Sequence, residues 1–511
     1  MFVAPAFAAD DPKGFRALTI DASKDIGQIR SLQGVNGPPS PIMAGLPNLI
    51  EQYRELRVDQ VRTHDFMGPT EIDSHYDYHD GNLSSLIPDP AQRAGVVRAG
   101  NASIIFPDWN ADPEDPESYH FAATDKAIAS IIASGAEVYY RIGRSWGART
   151  EPPPDYDKYA SVVKHIAMHY NQGWDDGFHD HIRYWEFWNE PEGFWAGTPK
   201  QFFSLYEKTA RALKSLDATL KVGGNAQATP GGASPWREGF LDYCAAHHVP
   251  LDFFSWHTYQ RDSADPYDAV RLSQRIRQVL DGHGFPQAES ILSEWNLSYD
   301  YTINEAAELQ GAHNAAFVGA VLTYMQDAPI AHAHFYRGDA AWMGLFDLNG
   351  NFYRPAHVFE AMGKMLDSPV RLAVSGTDTY GFAALAGKSK DGSVVQILIS
   401  NYEKPAGYKP VDMPEAPEFQ DPTSPSLWDR FPLEGPMEGR SDISYRDNAG
   451  YRLLITALPW GKAFFTIKRY RISARQPFEL VESRTAAGDG ALRMSVAMPI
   501  DSVDLLVFRR N

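Results

Sequence analysis

The sequence predicts an α/β fold: a (β/α)8 TIM barrel carrying an accessory C-terminal β-sandwich. Three observations lead there. Over residues 30–366, eight short apolar strand candidates alternate with helical stretches, the texture of a parallel barrel. Two of those strands end in a glutamate beside a tryptophan, and the roughly one hundred residues between them leave room for about three βα units. From Val370 onward, apolar and polar residues alternate between turns, so residues 367–511 read as antiparallel sheet. A chain of 511 residues is too long for one ordinary domain and long enough for a barrel with a smaller partner.

The first barrel strand spans residues 32–36 and closes in Gly-Val-Asn-Gly. A helix over 45–57 follows, with Leu46, Leu49, Ile50 and Tyr53 at helical spacing. Residues 61–66 form the second strand, where the two-residue period puts Arg62 and His64 on one face. A long polar loop over 67–117 carries Phe106 and Trp109; loops of that length are often functional, and this one reads as site wall. Then come a helix (121–133), the third strand (137–142), a helix (155–170) and the fourth strand, which runs from Tyr184 into Asn189-Glu190-Pro191. Thr198-Pro199 opens a helix to about residue 216, followed by the fifth strand ending at Asn225. A helix over 240–247 leads to the sixth strand, 252–259, with His257 and Tyr259 on one face. A helix (269–282), the seventh strand ending at Glu294, one long helix (304–326), the eighth strand (329–336) and a closing helix (354–366) complete the barrel. Beyond it, 382–385 and 394–400 form a hairpin turned by Asp391-Gly392. Residues 404–439 are proline-rich and irregular, and 452–458, 464–470, 491–498 and 503–508 are further strands. No flexible linker separates the two parts, which predicts a fixed interface.

Composition narrows the function. A formal charge of −18 argues against nucleic acid or an acidic lipid surface as partner, because both need basic patches. An aromatic content of 13% suits ring faces that stack on the apolar faces of sugars. The single cysteine, Cys244, excludes an internal disulfide and a thiolate metal cluster and reads as a small buried helix residue. No stretch reaches the roughly 18 apolar residues of a membrane span. Residues 1–12 resemble the tail of a secretory signal, with Ala6-Phe7-Ala8 as a small-x-small site, which suggests a periplasmic or secreted protein. The basic and long apolar parts of such a signal are missing, so a chance match in a cytoplasmic protein is the alternative.

The chemistry concentrates at two strand ends. A carboxylate walled by tryptophans loses solvation in its ionised form, so its pKa rises, as a general acid near neutral pH requires. Glu190 could instead cap the next helix or pair with an arginine. Glu294 weakens that alternative, since glycosidic hydrolysis uses two carboxylates facing across the bond. Glu186 shares a face with Glu190 by parity and is the decoy to exclude. Gly143 to Gly147 matches G-x-S-x-G, but Pro152-Pro153-Pro154 lies where a serine-hydrolase elbow needs a helix, so Trp146 reads as pocket lining. His332-Ala333-His334 could bind zinc, yet it lies on the last strand without a further ligand cluster and reads as packing.

A fourth strand ending Asn-Glu-Pro and a seventh ending in a lone glutamate resemble the clan A retaining glycosidases. Within that clan the chain is most similar to glycoside hydrolase family 39, the β-xylosidase and α-L-iduronidase family. The resemblance rests on Gly34-Val35-Asn36, Arg62-Thr63-His64-Asp65, Trp185 to Pro191, His257-Thr258-Tyr259 and Ser293-Glu294-Trp295. Residues 15–21 alternate like a sheet strand, and the resemblance implies that this strand, within 13–29, joins the C-terminal sheet. It also implies Glu190 as acid/base and Glu294 as nucleophile, with Asn189 donating to the sugar 2-hydroxyl and His64 and His257 binding hydroxyls. Arg62 and Tyr259 would hold Glu294 ionised. Asn225, Phe106, Trp109, Trp146 and Trp342 would line the pocket. The implied activity is a retaining exo-β-D-xylosidase acting on xylo-oligosaccharides, with no cofactor and no metal. An α-L-iduronidase-like or arabinose-chain glycosidase and a carbohydrate-binding pseudoenzyme are the alternatives. A uronate needs cations at its carboxylate, and only Arg62, Arg141, Arg144 and Arg337 sit at predicted strand ends.

Overall fold

The computed structural model describes residues 14–40, 46–66, 68–73, 89–143, 151–228, 230, 234–259, 265–298, 303–340, 343–403 and 449–511. The chain enters as β1 (Phe15–Gln28) and then builds β2 (Gly34–Asn36), β3 (Gln60–Arg62), β4 (Glu137–Ile142) and β5 (Tyr184–Phe187). Next come β6 (Lys221–Gln227), β7 (Phe253–Tyr259), β8 (Glu289–Asn296) and β9 (His332–Phe335). Strands β2 to β9 pair in chain order, each parallel to the next, and β9 closes on β2 through Gly34↔His334 and Val35↔Phe335. This is the predicted (β/α)8 barrel. Its strands are buried on both faces, which is why they read as apolar runs rather than alternating ones.

Inside the barrel, Tyr139, Tyr184, Phe253 and Ile291 pack into a small plug below the mouth. Both histidines of the H-x-H pair belong to this packing. His334 Nε2 lies 2.9 Å from Gln60 Oε1, and His332 Nε2 lies 3.0 Å from the Tyr184 hydroxyl. Strands β6 and β7 approach so closely that a Cβ on Gly223 would stand 2.1 Å from the Phe253 carbonyl oxygen. Only glycine allows that approach.

The second unit is one nine-stranded sheet. It comprises β10 (Val370–Ser375), β11 (Phe382–Lys388), β12 (Val394–Asn401), β13 (Gly450–Thr456), β14 (Phe464–Ile472), β15 (Pro477–Ala487), β16 (Ala491–Ala497) and β17 (Ser502–Arg510), together with β1. The order is β15-β14-β17-β12-β11-β10-β1-β13-β16, with β1 parallel to β13 and antiparallel to β10. The sheet has a core of its own, formed by Leu18, Ile20, Ile397, Ile399, Leu453, Phe465, Leu506 and Phe508 among others. Neighbours of opposite parity, such as Leu385 and Leu398, face the barrel's core instead. Ser400 Oγ donates to the Ala316 carbonyl at 2.6 Å, which ties β12 to the helix Ala312–Tyr324.

Four local expectations change. The long polar loop contains a helix, Pro90–Asn101, capped by Asp89, whose side chain accepts from the Ala91 N–H. Six of its twelve residues are exposed and only Gly100 is buried, so no apolar stripe announces it. The single helix over 304–326 divides into Ile303–Gln310 and Ala312–Tyr324 at Gly311, whose ψ of −177° is extended. Strand β15 was not expected: it forms a sheet edge with most of its residues exposed, so neither face is apolar. Strand β1 continues past residue 21 through irregular pairing at Asp21/Asp25 and Asp25/Gly27. The proline-rich stretch from 404 to 439 lies outside the described residues.

Candidate active site

The carboxyl ends of the barrel strands bring together Asn36, Arg62, His64, Asp65, Asn189, Glu190, His257, Tyr259, Glu294, Tyr336 and Arg337. Asp65 (φ 59°), Trp188 (φ 71°), Glu190 (φ 43°) and Ala226 (φ 52°) all adopt left-handed backbone conformations that non-glycine residues rarely take. Such strain persists only where the surroundings impose it, and these four of the thirteen positive-φ non-glycine residues among the described ones stand at the strand ends. The Glu190 N–H donates to the Ala226 carbonyl at 3.0 Å, and Pro191 starts a short helix, Pro191–Phe194. Trp188 lies over Gly143, where a Cβ would meet its ring at 2.5 Å.

Arg62 is fully buried and anchors the site. Its Nε donates to Glu186 Oε2 at 2.5 Å, its Nη1 to Glu294 Oε1 at 2.7 Å and to Asn36 Oδ1 at 3.1 Å, and its Nη2 to Asn189 Oδ1 at 2.8 Å. The last contact fixes the Asn189 amide, because an oxygen turned towards Arg62 sends the NH2 group the other way. Glu186 also accepts from the Tyr139 hydroxyl at 3.1 Å and is fully buried. The decoy is thus a fully enclosed partner of Arg62 and Tyr139.

Glu294 sits beneath three donors. Beyond Arg62, the Tyr259 hydroxyl donates to its Oε2 at 2.6 Å, and His64 Nε2 lies 3.2 Å from its Oε1. Burial nevertheless raises its pKa, against the lowering effects of His257, Arg62 and Tyr259. Among the described residues, the side chain that hydrogen-bonds Glu190 is His257, whose Nδ1 lies 2.7 Å from its Oε1. Burial pushes Glu190 up to about 7, with Arg62 pulling weakly the other way. Desolvation is thus the main cause, as for a carboxylate walled by apolar rings. Burial pushes both histidines down, His257 to about 4, so they act as neutral hydrogen-bonding groups at neutral pH. Ligand atoms of Glu190, His257 and Glu294 all lie within 4.8 Å of one another. Two carboxylates and an imidazole could hold a divalent cation there, but all three already contact one another or the side chains around them.

Other predicted residues lie further out. Phe106 is wholly buried against Trp109 and Tyr119. Trp109 donates to Asp73 Oδ2 at 2.9 Å and stacks on Tyr159. Both brace the loop against the helix Tyr156–Gln172. Asn225 is fully buried and donates its amide to the Trp236 carbonyl, which holds the turn after β6. Trp146 and Trp342 fall outside the described residues.

Sequence reasoning assigned no role to a second charged cluster. Asp65 accepts from the Tyr336 hydroxyl and, at 3.1 Å, from Arg337 Nη1; Arg337 Nε and Nη2 donate to Asp339 at 2.8 and 2.6 Å. Asn36 Nδ2 donates to the Ser293 carbonyl at 3.0 Å, just before Glu294. Asn36 and Asp65 belong to stretches that carry the family resemblance and Arg337 was noted at a strand end, but nothing in the sequence brings them together.

The profile of Glycosyl hydrolases family 39 matches residues 126–337. A β-xylosidase of Geobacillus stearothermophilus is 29% identical over 252 residues, which cover 43% of this chain and 48% of that one. A β-xylosidase of Caldicellulosiruptor saccharolyticus is 30% identical over 187 residues, 34% of this chain and 36% of that one. The matched part thus spans half or less of these curated relatives. A glucosidase from Croceicoccus marinus of known structure aligns over 97% of this chain and 99% of its own, at 32% identity with a TM-score of 0.79. With its barrel, its paired strand-end glutamates and these relatives, the chain belongs to glycosyl hydrolases family 39.

Proposed function

We infer that this protein is a retaining, exo-acting glycoside hydrolase for neutral sugars, with terminal β-D-xylosides of xylo-oligosaccharides as its leading substrates. The observation that carries this is the pairing of Glu190 and Glu294. Their nearest ligand oxygens lie within 4.8 Å, and their partners are unequal. Retaining enzymes hold their carboxyls about 5–5.5 Å apart, whereas inverting ones leave about 6.5–9.5 Å for a water.

In the first step a Glu294 oxygen attacks the anomeric carbon while Glu190 transfers its proton to the departing glycosidic oxygen. The C1–O bond breaks, a glycosyl ester forms, and the aglycone leaves as an alcohol. Arg62 and Tyr259 hold the attacking carboxylate in place, and the Asn189 amide is turned towards the 2-hydroxyl. Esterification removes the charge on Glu294, so Glu190, now ionised, takes a proton from water as that water attacks C1. Release of the sugar restores both groups. His257 touches Glu190 throughout and positions it for both proton transfers.

The names of the two partial relatives favour xylose. A second reading, a glucoside, is favoured by the full-length likeness to a glucosidase. Hydrolysis of an aryl glycoside panel by wild type, Glu190→Ala and Glu294→Ala, with azide added, tests the proposal. Azide should yield a β-glycosyl azide from Glu190→Ala and an α-glycosyl azide from Glu294→Ala. Activity persisting in both variants would overturn the assignment, and a wild type silent on every sugar would favour a binding protein.

A further inference from the structure

The geometry points to Asp65, Arg337 and Asp339 as the group that recognises the C4 hydroxyl of a neutral sugar at the end of the pocket opposite Glu190. This rests on the reading that Glu190 and Glu294 flank the scissile bond.

Barrel order supplies the direction. Glu190 follows β5, the fourth barrel strand, whereas Arg337 follows β9, the eighth, diametrically across the mouth. Asp65 follows β3, and Asp339 lies beside Gly37 at the end of β2, where a Cβ would stand 3.0 Å from the Asp339 Cγ. With C1 above Glu294 and the glycosidic oxygen turned towards Glu190, the opposite ring carbon, C4, points towards this cluster. The cluster also adjoins the nucleophile. His64 Nε2 lies 3.2 Å from Glu294 Oε1 and 3.5 Å from Asp65 Oδ1, and the Tyr336 ring stands edge-on to Tyr259 at 6.2 Å.

The chemistry fits a hydroxyl rather than a carboxylate. Arg337 has all three nitrogens on carboxylates, so its bidentate fork is not open to a uronate. One guanidinium with two carboxylates leaves a net negative charge, which attracts an O–H donor and repels an anion. Arg62 is paired with Glu186 and Glu294, and Arg141 with Glu71. A C4 hydroxyl can donate to an aspartate oxygen while its own oxygen faces the guanidinium. Backbone bonds from Gly338 N to the Asn36 carbonyl (2.7 Å) and from Arg337 N to the Met343 carbonyl (3.0 Å) hold the cluster in place.

The test compares kcat/KM for the best neutral aryl glycoside with that for its 4-deoxy analogue, in wild type, Asp65→Asn and Arg337→Lys. Loss of a hydrogen bond to a charged group predicts a penalty of about 10- to 100-fold for the 4-deoxy sugar with wild type. In Asp65→Asn the penalty should shrink to within about 3-fold, because the variant loses activity on the parent sugar and little on the analogue. Equal losses on both substrates would mean that the cluster is scaffold, and a wild type indifferent to 4-deoxygenation would also overturn the inference. The wild-type comparison decides even where a variant does not fold. An aryl α-L-iduronide turned over faster than every neutral glycoside would overturn it too. Inactivity of the wild type towards all glycosides would refute the underlying two-glutamate reading instead.

Discussion

Arg62 Nη1 lies 2.7 Å from Glu294 Oε1 while its Nη2 lies 2.8 Å from Asn189 Oδ1, so one buried guanidinium orients a candidate nucleophile and a candidate 2-hydroxyl donor together. Lysine carries the charge but cannot span β5 and β8 with separate nitrogens. Arg62→Lys should therefore lower kcat/KM by about 100-fold or more, the scale of losing a positioned donor. The lowering influence of Arg62 on Glu294 weakens as well, so the acidic limb of the kcat/KM profile should move to higher pH. A thermal melt should show loss of stability, since Glu186 and Glu294 stay buried with poorer partners. An unchanged profile would separate Arg62 from the nucleophile.

Tyr259 offers a cleaner probe of the same carboxylate. Its hydroxyl donates to Glu294 Oε2 at 2.6 Å and is among the influences that lower the Glu294 pKa. Tyr259→Phe keeps the ring and deletes the donor. The acidic limb should again move up, with kcat/KM falling about 10- to 100-fold, the worth of one hydrogen bond to a charged group. A kcat/KM loss with an unmoved limb would assign Tyr259 to substrate contact rather than to the nucleophile.

Glu186 separates positioning from chemistry. It is fully buried and bonded to Arg62 and Tyr139. Glu186→Gln should reduce activity by loosening Arg62, and azide should not restore it, because the added anion has no route to C1 from there. Glycosyl azide formed by this variant would reassign the roles of the three glutamates.

The two central carboxylates were legible because each ends an apolar run, and a parallel barrel puts every strand's carboxyl end on one face. The two-residue period then paired Arg62 with His64 and His257 with Tyr259, and in the structure each of these four side chains comes within 3.6 Å of Glu294. The Asp65–Arg337 contact was illegible. It joins residues 272 apart, at the ends of the second and eighth barrel strands, and no local pattern pairs them. Asn225 illustrates another limit: its position at a strand end suggested lining, but the left-handed turn at Ala226 accompanies an amide given to Trp236. Strand β15 lacks an apolar face because it is a sheet edge, so periodicity had nothing to report. A proton's energetics were only partly readable, since the degree of burial that lifts Glu190 depends on the whole barrel.

That burial makes a prediction about stability as well as rate. Glu190 is 22% exposed at its side chain, and its pKa is raised from 4.5 to about 7. As the acid it must be protonated in the free enzyme, so the basic limb of kcat/KM should fall near pH 7 and vanish as a single-group limb in Glu190→Ala assayed with an activated aryl substrate. The folded protein binds this proton more tightly than the unfolded chain does. Between pH 4.5 and about 7 the folded state therefore holds more protons, and stability falls as pH rises through that window. Glu190→Gln removes the ionising group and with it the cost of burying its charge. The variant should match wild type in stability near pH 4, gain steadily up to pH 7 and hold a constant advantage above it, of up to about 3 kcal/mol. Chemical denaturation of both proteins at several pH values measures the difference directly. A variant less stable than wild type at pH 8 would mean that the Glu190 carboxylate is solvated or paired in the folded protein, and the general-acid assignment would lose its physical basis.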